Sequence, residues 1–407
     1  MRSGYGRSAL PVPAGTVLGG YANRAGASTG TLDELEVSAV TLGRLAWVVA
    51  DLPYVNADLA EAVRRAVRRE APGHDVWVSA THTHSAPDTA CPGHPVDTPA
   101  RWPAEVPAAA AEAVRAALAG ERDVELSVRR GRLSGVGGQR SGVRPRRTVP
   151  VDVLSFDLPD GGRSGVLVVL PVHPTVLGAD NLLVSADLTG AVRRALAGRL
   201  GGAWVVVATG AAGDVSTRPH RREQTPMEVE RLGALVAASV VRRLREPARL
   251  TVPGDAAMSV RYERVALQPK SPEAPPTGPL RERLREAERD GDPVLVRTAW
   301  TALQAAQLAA EHPPPADLSC AVSVARLGPL TLVSMGAEPY LDLAARLDRA
   351  VDGPAVLIGY TNDYLGYLPV RAAYRHPEYE VLRSPAAPGG AERVLASATR
   401  LTEKDQP

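Results

Sequence analysis

Val76-Trp77-Val78-Ser79-Ala80 runs without a break into Thr81-His82-Thr83-His84-Ser85. The first five residues are apolar or small, with the Val and Trp content of a buried strand. The next five are polar and hold two of the chain's eight histidines. A strand that runs into a polar, histidine-bearing turn is what a ligand-facing sheet edge looks like in an α/β protein. The same pattern recurs four times. Val166–Val172 ends at His173-Pro174, and Ala203–Thr209 ends in Gly210-Ala-Ala-Gly-Asp214-Val-Ser216. Leu330–Met335 ends in Gly-Ala-Glu338-Pro339, and Ala355–Gly359 ends in Tyr360-Thr-Asn362-Asp363-Tyr364-Leu-Gly-Tyr367.

Between these runs lie further predicted strands, Ala46–Leu52, Val124–Val128, Val151–Phe156 and Ala321–Leu327. Amphipathic stretches predict helices over Asp58–Glu70, Pro107–Gly120, Leu188–Leu200, Pro226–Arg245, Leu280–Arg289, Pro293–Glu311 and Tyr340–Val351. Thr225, Pro226 and Glu228 form a capping box with proline at the first helical position, where its missing N–H is no loss. Short strands alternating with helices predict an α/β fold of mixed, largely buried sheets covered by helices. Residues 1–400 are expected to form a single domain. A Pro-rich helical insertion or cap is expected over 266–316, where Gln268–Pro279 and His312–Pro315 bracket two charged helices. The chain after Ser384 is expected to be loosely ordered, with a loose tail over 401–407, and Ala86–Pro103 reads as a Pro- and Asp-rich loop.

Composition narrows the function classes. The 407 residues carry 47 Lys+Arg against 45 Asp+Glu, a net charge of +2, so no long-range field draws nucleic acid or an anionic membrane. Two cysteines, Cys91 and Cys320, make no disulfide framework. No segment approaches the ~20 apolar residues of a membrane span, and the start lacks the apolar core of a signal peptide. A cytoplasmic protein acting on a small molecule, with no nucleic acid and no transmembrane segment, is the expectation. The basic residues are almost all Arg, and Phe156 and Ile358 are the sole Phe and Ile, as codon usage in a GC-rich genome produces.

Each motif has a plain structural reading beside a chemical one. If the chain stays extended after Ala80, His82 and His84 project from one face, which suits a zinc site or one ligand plus a proton carrier. His173 alone reads as well as a hydrogen-bonded residue closing a strand. Asp214 and Ser216 read locally as turn residues bonding their own backbone. Glu338 reads as an acid at the positive end of a helix. Tyr360, Tyr364 and Tyr367 belong to a group of five tyrosines between Tyr360 and Tyr379, out of ten in the chain. Such a group suits either an aromatic closure of the sheet or a binding site. Shared position tips the balance: all five motifs stand at carboxyl ends of predicted strands. Histidines with one carboxylate match catalytic zinc, which keeps a position open for water.

The motifs SATHTHSAP, LPVHPT with SAD downstream, GAAGDVS, MGAEP and GYTNDYLGY stand in the order found in the neutral/alkaline (non-lysosomal) ceramidase family, and the chain resembles that family's catalytic domain from Gly19, in GGYANRAG, to the region of Tyr379. The resemblance implies a ceramidase-like catalytic domain with a zinc ion held by two His, one Glu and one Tyr, and hydrolysis of an N-acyl amide. Carried over by motif, it implies His82, His173, Glu338 and Tyr367 as the metal ligands, with Tyr364, three residues before Tyr367, the rival for the fourth place. It implies His84 facing the substrate carbonyl together with a tyrosine hydroxyl, Arg140 of GGQRSG holding the site, and Ser216, after Asp214, touching a polar group of the substrate. Three departures bear on substrate. The Gly-rich continuation after HTHS is here Ala86-Pro87-Asp88-Thr89-Ala90, and GDVS is followed by Thr217-Arg218-Pro219 rather than Pro-Asn. No counterpart of the family's immunoglobulin-like C-terminal domain or secretion signal is expected. The expectation is a zinc amidohydrolase acting on a small N-acyl amine rather than membrane ceramide. Ester or lactone cleavage, amide formation by the same site and a catalytically silent ligand-binding scaffold are the alternatives.

Overall fold

The valine-rich runs build three main sheets around one another, seen in a computed structural model that describes residues 1–21, 23–89, 101–142, 144–271, 276–311, 315–376 and 378–403. In chain order the helices are α1 (Ala57–Glu70), α2 (Arg101–Ala119), α3 (Asp187–Ala197), α4 (Pro226–Leu244), α5 (Thr277–Asp290), α6 (Pro293–Glu311), α7 (Leu341–Ala350), α8 (Tyr379–Arg383) and α9 (Gly390–Glu403). The first sheet holds strands Arg2–Ala9, Glu36–Leu42, Leu45–Ala50 and Asp75–Ala80, the second Glu125–Ser134, Thr148–Asp157, Arg163–Leu170 and Trp204–Thr209. The third holds Met258–Leu267, Leu318–Leu327, Leu330–Met335 and Ala355–Ile358. Each sheet is antiparallel except for one parallel pair: Leu45–Ala50 with Asp75–Ala80, Arg163–Leu170 with Trp204–Thr209, and Leu330–Met335 with Ala355–Ile358.

The inner faces meet in one core that takes Trp47 and Trp77 from the first sheet, Phe156 and Val206 from the second, and Leu332 and Ile358 from the third. The outer faces are covered by helices: α1 and α2 on the first, α3 and α4 on the second, α7 and α9 on the third. Strands buried on both faces read as continuous apolar runs, as Leu45–Ala50 does, while Leu330–Met335, buried along its whole length, admits only the small hydroxyls of Thr331 and Ser334. The fold is therefore the mixed α/β arrangement expected. At α4 the Thr225 hydroxyl accepts from the Glu228 N–H with proline at the first helical position, but the Glu228 carboxylate takes the Arg222 N–H and Arg231 instead of reaching back to Thr225, so half of the expected capping box forms.

The expectation of a loosely ordered chain after Ser384 is corrected: α9 buries Ala391, Val394, Leu395, Ala398 and Leu401 against the third sheet. Those residues keep the helical spacing of three and four, so the signal was in the sequence. Strand Arg2–Ala9, missed because RSGYGRSA is polar and Gly-rich, lies under α2. A Cβ on Gly4 or Gly6 would stand about 2 Å from a helix carbonyl (1.9 Å and 2.1 Å), so the glycines are what the close approach requires. In the expected insertion, α5 packs on α6, and Ala302, Ala305 and Ala306 of α6 pack on Leu382 of α8. Parts of the Ala86–Pro103 loop, Cys91, the Pro-rich stretches at 272–275 and 312–314, and the tail from Lys404 lie outside the described residues. No helix among the described residues is long and apolar enough to cross a membrane.

Candidate active site

Where the parallel pairs end, the three sheets are stitched together through their backbones. Thr81 and His82 donate to the carbonyls of Ala50 and Leu52, both at 2.9 Å. Ala80 donates to the Tyr360 carbonyl at 2.9 Å and Asn362 to that of Val78 at 2.7 Å, tying the first sheet to the third. Gly359 donates to the Thr209 carbonyl at 3.0 Å and Gly213 to that of Pro339 at 2.9 Å, tying the third to the second. The five strand-end motifs thus share one junction. The junction is bought with backbone strain: His82, Tyr360 and Asn362 take left-handed conformations, with φ of 66°, 53° and 67°. The strand ends at Ala80, so extended-chain alternation does not place His82 and His84; the turn at His82 brings their rings together instead.

The side chains converge on one point. The His173 Nε2 lies 3.0 Å and the His82 Nε2 3.4 Å from the Glu338 Oε2, and the His84 Nε2 is 3.3 Å from the His82 Nε2. The ligand atoms of His82, His84 and His173 lie within 4.8 Å of one another. His82, His173 and Glu338 are buried. The far nitrogens of two of these rings are anchored. The His173 Nδ1 faces the carbonyls of Ala212 at 2.6 Å and Val215 at 3.0 Å, and the His82 Nδ1 faces the carbonyl of Pro53. A ring nitrogen beside a carbonyl carries the proton, so both Nε2 atoms present lone pairs to the centre. The His84 Nδ1, by contrast, has no hydrogen-bond partner among the described residues.

The phenols close the other side. The Tyr364 hydroxyl donates to the Glu338 Oε1 at 2.5 Å, and the Tyr360 hydroxyl is 3.4 Å from the Oε2. Tyr367 lies parallel to His173, with ring centroids 6.4 Å apart, and its hydroxyl accepts from the Arg140 Nη2 at 3.2 Å. That nitrogen also donates to the Gly213 carbonyl at 3.0 Å and stands 3.5 Å from the His173 Nε2, while the Arg140 Nε pairs with Glu380 at 2.6 Å.

Burial dominates the electrostatics. It pushes His173 down to about 3, with the Arg140 charge adding to it, and pushes His84 well below the usual imidazole value, helped by the neighbouring His82 and His173. Both rings are therefore neutral near pH 7. Burial alone would raise the Glu338 carboxyl; it is held well below the usual carboxylate range only where His82 and His173 present positive charge or N–H groups to it, a part that falls to a bound cation once both Nε2 atoms offer lone pairs. Burial and then the Glu338 charge push the Tyr367 hydroxyl well above its ordinary value.

Of the residues singled out in the sequence, His82, His84, His173, Glu338, Tyr364, Tyr367 and Arg140 are brought together. Ser216 sits beside His173 through a parallel backbone bridge, and its hydroxyl accepts from the Arg218 N–H at 3.3 Å. Asp214 is placed otherwise: its oxygens take the Leu341 N–H at 2.8 Å and the Gln139 amide at 2.6 Å, which fixes the turn and the start of α7. Of three further neighbours of the cluster, Tyr360 was named only within its tyrosine group, and Tyr21 and Glu380 were not singled out. Tyr360 stacks on His82 with centroids 4.2 Å apart, Tyr21 stands edge-on to His84 at 4.8 Å, and Glu380 pairs with Arg140. Tyr360 and Tyr21 lie inside the quoted GYTNDYLGY and GGYANRAG stretches, so a signal was at hand; Glu380, in a short charged helix, had none.

No protein-family model matches the chain, and no curated protein matches it in sequence. Solved structures do. The chain superposes on the neutral ceramidase of Pseudomonas aeruginosa with a TM-score of 0.76 at 19% identity, covering 99% of this chain and 74% of that one. A ceramidase complexed with C2 gives a TM-score of 0.77 at 18% identity, over 99% and 75% of the two chains. At such identities what is shared is the fold, and the fold of this chain is ceramidase-like.

Proposed function

We propose that the chain is a zinc-dependent amidohydrolase that cleaves the N-acyl amide of a small molecule by attack of water. One observation carries the reading. The lone pairs of His82 Nε2 and His173 Nε2 point at the Glu338 carboxyl across 3.4 Å and 3.0 Å in a buried site. Three acceptors facing one another without an intervening cation is a costly arrangement. Two imidazoles and one carboxylate are a catalytic zinc set, and the carbonyls of Pro53, Ala212 and Val215 supply the outer hydrogen bonds that fix such ligands. His82, His173 and Glu338 would hold the ion, with Tyr367 as the fourth ligand. His84 shares the cluster, but its unanchored Nδ1 suits a substrate-facing group better than a fixed ligand.

When bound, zinc makes water acidic enough to supply a nucleophile near neutral pH and polarises a carbonyl. The chain's own residues do the rest. The neutral His84 turns its Nε2 toward the centre, where it donates to the amide oxygen as that atom gains charge; such a donor is worth about 3 kcal/mol in rate. Arg140 binds Tyr367 and Glu380 and so keeps the phenol beside His173. Ser216 is not placed as a nucleophile, because no elbow turn surrounds it and its hydroxyl is used by the Arg218 N–H. Ceramide cleavage belongs to the neighbours named above; the altered HTHS and GDVS continuations favour a smaller, water-borne amide here.

The test is metal analysis of purified protein followed by a panel of N-acyl amines with and without chelator. About one zinc per chain, and chelator-sensitive amide cleavage lost in His82→Ala and His173→Ala, is expected. Absence of bound metal with chelator-insensitive activity would overturn the reading.

A further inference from the structure

We propose an anion subsite beside the histidine cluster, in which Arg218 and Arg221, joined by Arg297 of α6, bind a carboxylate or phosphate carried by the substrate. The inference deepens the hydrolase reading and rests on it for the word substrate; the subsite itself rests on the arginines.

Arginines deep in this fold are held by carboxylates, as Arg140 is by Glu380, Arg193 by Asp51 and Arg130 by Asp152. Among the described residues, Arg218, Arg221 and Arg297 make no such ion pair. Arg218 has one side-chain hydrogen bond, a long 3.5 Å contact to the Thr298 hydroxyl on α6. Arg221 donates to the Thr175 carbonyl at 2.7 Å, and Arg297 rests on the Trp300 ring at 4.5 Å. These contacts position the guanidiniums and leave their charge unneutralised. Burial and then the Arg140 charge push Arg218 down to about 10; Glu380 acts against them, and Arg221 and Arg297 add to the lowering. Glu380 is held by Arg140, and Asp187, the carboxylate that acts on Arg221, accepts the N–H groups of Val176, Leu177 and Leu188.

Location ties the cluster to the chemistry. Arg218 stands two residues beyond Ser216, which is bridged to His173, so at most about 7 Å of chain separates their Cα atoms. The Tyr21 hydroxyl feels the charges of Arg221, Arg24 and Arg218, while its ring stands edge-on to His84 at 4.8 Å. The departure from the resembled family falls at the same spot: Arg218 occupies the GDVS continuation where that family has Pro-Asn. A guanidinium fork is the side chain suited to two-pronged recognition of a carboxylate or phosphate.

The experiment uses matched substrate pairs and a separate binding readout. Metal-loaded protein is assayed on N-acyl amino acids against the same amides lacking the carboxylate, and on N-acyl ethanolamine phosphates against N-acyl ethanolamines. The wild type is expected to prefer one anionic series by about 10- to 100-fold in kcat/KM, as a charged hydrogen bond implies. The series that shows it identifies the anion. Arg218→Gln and Arg221→Gln should each collapse the ratio through KM, and Arg218→Lys should keep part of it. In parallel, thermal stabilisation of metal-free protein by inorganic phosphate and by acetate should saturate in the wild type and be lost in both Gln variants, whose folding is checked by circular dichroism. Equal cleavage of charged and neutral partners overturns the subsite and leaves the hydrolase standing. Saturable anion binding that depends on Arg218, with no amide cleaved, sustains the subsite and overturns the hydrolase. Anion stabilisation identical in wild type and variants overturns the subsite.

Discussion

Replacing Glu338 by Gln distinguishes a metal centre from a closed hydrogen-bonded network by the sign of its effect. In the metal-free protein the carboxylate faces lone pairs of His173 Nε2 at 3.0 Å and His82 Nε2 at 3.4 Å, with side-chain exposures of 2%, 0% and 3%. A glutamine keeps one oxygen for the Tyr364 hydroxyl and offers its N–H to His173, so acceptor against acceptor becomes donor against acceptor. Relieving one buried unsatisfied polar contact is worth about 1–3 kcal/mol. Glu338→Gln should therefore stabilise the metal-free protein by that amount. At ~2.1 cal/mol/K per residue over 407 residues, that is a rise of roughly 1–4 °C in Tm. The wild type should gain about 2.7 kcal/mol from zinc at a hundred times its Kd, and the variant should lose most of that gain. Calorimetry and urea unfolding in chelator, each repeated with zinc, read all four values. Should the variant instead lose about 1.5–3 kcal/mol in chelator, as removal of a charged hydrogen bond would cost, the ring nitrogens donate to Glu338 and the centre needs no cation.

Gly20 has φ of 89° and a Cβ there would stand 2.4 Å from the His84 ring, so Gly20→Ala should displace His84 and cut kcat at least tenfold while metal stoichiometry, measured by emission spectrometry, stays at one. Asp51 is fully buried and holds the Arg193 guanidinium at 2.9 Å and 2.5 Å at the end of strand Leu45–Ala50; Asp51→Ala should cost about 3–5 kcal/mol in urea unfolding, and a loss under 1 kcal/mol would show the pair to be dispensable. Burial pushes Asp214 up to about 6 against the hydrogen bonds from Leu341 and Gln139, compared with ~3.9 unfolded. Because the folded value is the higher one, the native state holds the proton longer. The stability of wild type relative to Asp214→Asn should fall as pH rises from about 4 to about 6, by up to about 3 kcal/mol, and level off above. A difference that grows with pH over that window would contradict the burial argument.

What the sequence made legible follows from how each element is buried. Strands buried on both faces are dominated by apolar residues, so Leu45–Ala50 and the run over 204–208 stand out at once. Strands with one exposed face or a tight helix above them do not: Met258–Leu267 alternates Arg and Glu with Val at a sheet edge, and Arg2–Ala9 substitutes glycine for bulk beneath α2. α9 was legible by period yet obscured by the proline and glycine residues that precede it. The threefold arrangement of sheets around one core was not legible, because each parallel pair looks the same whether it shares a sheet with the next or turns its inner face toward it.

The residues nominated from strand ends come together because position along the chain and position in space coincide where parallel strands stop. Residues just past Ala80, Leu170, Thr209, Met335 and Ile358 meet since the three carboxyl edges are hydrogen-bonded to one another. The detailed geometry had a different origin. Alternation in an extended chain predicts a common face for His82 and His84, whereas the left-handed turn at His82, held by the Leu52 carbonyl on one side and Pro53 on its ring, produces the contact. Such a conformation is unfavourable for a histidine outside the fold and has no composition signature. The same limit applies to Asp214: GAAGDVS places it at the junction, but which way its carboxylate turns depends on Leu341 and Gln139, 127 and 75 residues away. Motif position therefore nominates residues for the site, and the partners of each polar atom decide which of them are left free to do chemistry; by that criterion His84, whose Nδ1 alone among the three rings is unanchored, is the residue whose substitution should separate binding of metal from turnover.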